Sequence, residues 1–60
     1  MVIEQRRKEL AQILANEGDI GASAFAVRLN ISRGTVYRDL RALSETGQIV
    51  KDGRGWEVAK

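Results

Sequence analysis

The sequence predicts a mainly α-helical domain, three short helices closed by a small β-hairpin. Three observations carry this. Val36, Leu40 and Leu43 recur at i, i+4 and i+7 in a polar stretch, the period of a helix buried along one side. Asn30-Ile31-Ser32 stands just before it: a residue that tolerates left-handed backbone, an apolar plug and a helix cap. Finally, Gln48–Lys51 and Trp56–Ala59 read as two short strands around Asp52-Gly53-Arg54-Gly55.

Composition bounds what such a domain does. Sixty residues form one unit, 1–60, near the small end of what folds without staples. There is no cysteine, hence no disulfide framework and no thiolate metal site, and no histidine, the usual general base and commonest metal ligand. No carboxylate pair is clustered for acid–base work, and so small a chain has little room to exclude water. We therefore expect no enzyme, no cofactor, no metal and no small-molecule ligand. Charge is uneven: residues 1–27 carry three cations against four carboxylates, residues 28–60 seven against four. A basic second half points to a polyanionic partner. No apolar run approaches the ~20 residues of a membrane span, and the N-terminus lacks a signal-peptide core. The expected location is the cytoplasm, or the nucleoid in a bacterium.

The first helix is expected over 2–16. Ile3, Leu10, Ala11, Ile13 and Leu14 make its buried side, Glu4 and Lys8 an i, i+4 pair on its wet side, and Gly18 its stop. Arg6-Arg7-Lys8 reads as a solvated face rather than a phosphate contact. Ile20 then supplies the core between helices, with scope for one rung of a third strand beside the hairpin. The second helix, 22–29, turns Phe25 and Leu29 inward, with small Ala26 allowing close approach. Ser23 lies in its first turn, where free N–H groups favour an anion such as a phosphate; a simple capping role is the alternative.

Ser32 caps the third helix, expected over 32–46 with Gly47 as its stop. Helix, Asn-Ile turn, Ser cap and helix, with apolar Phe25, Leu29, Ile31 and Val36, is the helix-turn-helix arrangement. Arg33, Tyr37, Arg38 and Arg41 fall outside the apolar stripe, a face suited to the DNA major groove. Arg33 is best placed to reach base edges, and Gly34 beside it allows close backbone approach. Tyr37 and Arg38 come one turn later to read a base or grip a phosphate, and Arg41 is electrostatic. Asp39 is expected to turn from DNA and pair with an arginine such as Arg28. In the hairpin segment 48–59, Trp56 and Val58 share the face that covers the helices. Lys51 would hold the flanking backbone, and Arg54, between glycines at the tip, would reach a neighbouring minor groove or its phosphates.

With these residues in place, the chain resembles a winged helix-turn-helix domain, and most of all the N-terminal DNA-binding module of DeoR-type bacterial transcriptional repressors. The matching residues are Gly18-Asp19-Ile20, Phe25-Ala26, Leu29-Asn30-Ile31-Ser32, Thr35-Val36, Arg38-Asp39-Leu40, Leu43 and Gly47. The resemblance spans roughly residues 3–58; its densest part, Ser-x-x-Thr-Val-x-Arg-Asp-Leu-x-x-Leu, marks winged-helix DNA binders as a class. It implies a third helix in the major groove and a wing on the adjacent backbone or minor groove. Ser32 and Thr35 would meet phosphates, and Arg38 would be the recurrent DNA-contacting arginine. Tyr37 departs from the pattern, standing where another basic residue is usual. The sugar-phosphate-sensing domain of those repressors lies outside these residues, so inducer control is not carried over.

The expected function is therefore sequence-specific binding of double-stranded DNA, as a transcriptional repressor. Two alternatives stand beside it: a winged-helix module for protein–protein contact, and a DNA binder of replication or partition. Few phosphate contacts fit on so small a domain, so a homodimer or linkage within a larger chain would supply affinity.

Overall fold

The computed structural model describes residues 2–53 and 55–59. Three helices, α1 (Ile3–Glu17), α2 (Ala22–Leu29) and α3 (Arg33–Glu45), precede a two-stranded antiparallel hairpin of β1 (Ile49–Asp52) and β2 (Gly55–Val58). This is the architecture of a winged helix-turn-helix, mainly helical with a small wing.

Strong helix formers fill α1, and its ends are set by local backbone. Val2 is extended and accepts from the Arg6 N–H, while Gly18 takes a positive φ of 78° and returns its N–H to the Leu14 carbonyl. Ser32 and Thr46 lie just outside α3 as its caps. Leu10 and Leu14 of α1, Phe25, Ala26 and Leu29 of α2, and Val36, Leu40 and Leu43 of α3 converge with Ile49 of β1 on one core. Ile20, Trp56 and Val58 pack against it. Ile3, expected on the buried side, is 52% exposed. The inner side of that first stretch of α1 is occupied instead by Arg6 and Arg7, which reach Asp39 of α3.

The hairpin pairs Ile49 with Val58 and Lys51 with Trp56, so Ile49, Trp56 and Val58 share the inward face. Asp52 pairs with Gly55, and Gly53 between them takes a positive φ of 64°. One more hydrogen bond, Ala59 N–H to the Gln48 carbonyl, extends the ladder. The anticipated third-strand rung at Ile20 is not formed: among the described residues the sheet has two strands. The neighbouring Asp19 substitutes a side chain for it. Its Oδ2 accepts from the Trp56 N–H at 3.0 Å, while its Oδ1 accepts from the Gly21 N–H at 2.9 Å. One carboxylate thus ties the start of α2 to the wing.

Candidate nucleic-acid interface

The turn between α2 and α3 aims the third helix. Asn30 adopts the left-handed conformation (φ 56°, ψ 49°), its N–H returning to the Val27 carbonyl and that of Ile31 to Ala26. This Schellman closure satisfies the last carbonyls of α2 and reverses the chain within two residues. Ser32 then opens α3: its Oγ accepts from the Thr35 N–H at 3.2 Å and lies 2.9 Å from Thr35 Oγ1. At the far end Gly47 (φ 80°) repeats the closure, with Gly47 N–H to Ser44 and Gln48 N–H to Leu43.

Between these caps α3 is sharply two-sided. Val36, Asp39, Leu40 and Leu43 are buried; Arg33, Gly34, Tyr37, Arg38 and Arg41 are exposed, Tyr37 at 62%. Neither Arg33 nor Arg38 forms an ion pair or side-chain hydrogen bond among the described residues, so both guanidiniums keep their donors for a partner. Arg41 Nε sits 3.6 Å from Glu45 with both side chains largely in solvent, a contact too exposed to immobilise it. A Cβ on Gly34 would meet only Ser32 Oγ, at 3.9 Å. The fold itself does not demand glycine there.

A shallow groove of about 220 Å³ lies beside this face, bounded by Gly21 and Ala22 at the start of α2, Tyr37 and the Lys51–Trp56 pair. The Lys51 ammonium lies 5.4 Å from the Trp56 ring centroid, a cation–π contact that steadies it on the wing. Ser23 is exposed in the first turn of α2, but it is not the cap; Gly21 holds that position without a side-chain bond. Thus Tyr37 and Lys51 border one groove together with the start of α2. The contact expected of Arg54 lies outside the described residues.

Two expectations about charged residues are corrected. Asp39 does not meet Arg28; it accepts from Arg6 Nε at 2.5 Å, Arg6 Nη2 at 2.8 Å and Arg7 Nε at 3.0 Å. Arg28 instead grips Glu17 at the end of α1, at 3.0 and 2.6 Å. Arg6 and Arg7 are therefore structural rather than a free basic face. Burial pushes the Asp39 carboxyl up, but the hydrogen bonds and charges of Arg6 and Arg7 outweigh it and hold the group below its ordinary value. Likewise Arg28 lowers the Glu17 carboxyl through its hydrogen bonds. A signal for the buried aspartate existed: Asp39 is three residues after Val36, within the apolar stripe.

An exposed helix bearing arginines, capped and aimed by a tight turn and flanked by a hairpin that carries Lys51, defines a winged helix-turn-helix domain of the DNA-binding class. The chain belongs to the helix-turn-helix (HTH) domain family, whose model matches residues 6–57, and DNA is its partner. Domains of this family are typically non-enzymatic. Comparison with curated proteins and with solved structures returned no match. No helix among the described residues is long and apolar enough to cross a membrane.

Proposed function

We propose that this domain reads double-stranded DNA sequence-specifically as a transcriptional regulator of the repressor type. In this reading α3 enters the major groove and the wing lies on the adjacent backbone or minor groove. One observation carries it: α3 buries its aliphatic side while Arg33, Tyr37 and Arg38 stay exposed, the two arginines without a side-chain partner among the described residues. The repressor role rests on the resemblance to DeoR-type modules.

The residues then take distinct roles. Arg33, in the first turn of α3, offers its planar fork to O6 and N7 of a guanine. Gly34 leaves the helix start slim enough for close approach. Tyr37 and Arg38 follow one turn later, on a base edge or a phosphate. Ser23, Ser32 and Thr35 line the helix starts and meet backbone phosphates with hydroxyl donors, while Arg41, Lys51 and Arg54 supply electrostatic hold. So small a footprint favours action as a homodimer or as part of a larger chain.

A salt-dependent binding titration on selected and random duplexes tests this. Arg33→Ala should relax preference at one base pair, by about 1–3 kcal/mol. Arg41→Ala should weaken all duplexes alike and lower the salt slope by about one. A steep slope with no sequence preference would reduce the domain to a generic DNA binder. Absence of binding at low salt would favour a protein-contact module.

A further inference from the structure

The contact between α1 and α3 combines a shared apolar core with one exacting polar clamp. On one side the two helices border an open groove of about 600 Å³ whose lining includes Ala11, Ala15 and Ala42. Small side chains meet on that side, while the larger Leu10, Leu14, Val36 and Leu40 lie in the shared core, where apolar contact is non-directional. Asp39 is the exception. It is fully buried, and both of its oxygens are engaged, by two N–H groups of Arg6 and one of Arg7. Charge-assisted hydrogen bonds of this kind are directional where apolar contact is not.

Its place on the helix matters as much as its bonding. Successive residues are about 100° apart, so Tyr37 and Arg41, two residues to either side, lie roughly 160° around from Asp39. The clamp therefore grips α3 diametrically behind the face that carries Arg33, Tyr37, Arg38 and Arg41. A rotation of about 20° moves the surface of a helix ~10–12 Å across by roughly 2 Å. That displacement exceeds what a hydrogen bond to a base edge tolerates.

We infer that Asp39, held by Arg6 and Arg7, is a positioning residue: it sets the axial rotation of α3 and so determines which bases its outer face reads, without touching DNA. This inference rests on the proposed sequence-specific reading. It assigns specificity to a pair of arginines on α1 and to a carboxylate that faces away from the duplex. A buried ion pair replaced by apolar side chains of similar volume often leaves stability unchanged or raised, so its loss separates rotation from folding.

The experiment uses the triple replacement Asp39→Leu, Arg6→Met, Arg7→Met. Duplexes are first selected from a random pool with the wild-type protein. Affinities for the selected and a scrambled duplex are then measured by fluorescence anisotropy over a range of salt. The expected result is a folded triple variant whose selected-to-scrambled affinity ratio falls at least tenfold. Leu14→Ala, a destabilising control, lowers the folded fraction for both duplexes equally and leaves the ratio unchanged. A folded triple variant with the wild-type ratio overturns the inference and leaves the DNA reading intact. A wild-type protein that selects no sequence overturns both. Should the triple variant fail to fold, Arg6→Met removes the two-point grip and leaves Arg7 to pair the carboxylate; a reduced ratio supports the inference, and an unchanged one overturns it.

Discussion

Gly55→Ala is a small substitution that should behave contrary to the usual rule. Where glycine occupies ordinary extended backbone, alanine normally stabilises by about 0.4–1 kcal/mol through the unfolded chain. Here a Cβ at position 55 would stand 2.9 Å from Oδ2 of Asp19 and 3.5 Å from its Cβ. The carboxylate cannot simply swing aside, because it holds the Gly21 and Trp56 N–H groups at 2.9 and 3.0 Å. Displacing it forfeits both bonds, each worth about 1 kcal/mol in a partly solvated setting. The expected loss is therefore about 2 kcal/mol, a substantial part of the roughly 3–9 kcal/mol available to a domain of this size. In a thermal melt this corresponds to a Tm lowered by roughly 8–16 °C. The assay is urea unfolding of wild type, G55A, D19A and the double variant. Asp19→Ala removes the obstacle together with the two bonds, so adding Gly55→Ala to it should be neutral or slightly stabilising. A coupling of about 2 kcal/mol is expected between the sites. The reasoning fails if Gly55→Ala stabilises the wild type, or if its effect is the same in both backgrounds.

Phe25 is fully buried at the centre of the helical core, and Phe25→Ala should lose about 3–5 kcal/mol, leaving much of the chain unfolded by circular dichroism at room temperature. Asn30→Ala should destabilise by about 1 kcal/mol in urea because a Cβ disfavours left-handed backbone, whereas Asn30→Gly should be close to neutral. The clamp on Asp39 should show in the pH dependence of stability. Its folded carboxyl lies below the unfolded value of about 3.9, so its stabilisation is fully present above that value and fades as pH falls through the lower folded value. Acid unfolding below about pH 4 should accordingly be steeper for wild type than for Asp39→Asn, which has no proton to take up at that position.

The sequence by itself determined the elements and the chemistry on offer. The period of Val36, Leu40 and Leu43, the left-handed turn at Asn30, the cap at Ser32 and the stops at Gly18 and Gly47 are local properties. Each follows from a residue's own backbone preference or from neighbours three and four positions away, so each could be read along the chain. The same local logic separated the arginine-bearing side of α3 from its aliphatic side.

Only tertiary structure decided which charges are free and which are spent. Asp39 meets Arg6 and Arg7 across more than thirty residues, Arg28 turns to Glu17, and Asp19 reaches the wing at Trp56. Several arginines and carboxylates are chemically equivalent as partners, and composition cannot rank them; the packing of α1 against α3 does. The same packing turns Ile3 outward, since the adjacent inner positions of α1 are filled by guanidiniums rather than by core. Local periodicity decides what a helix can show, and long-range packing decides how that helix is turned to show it.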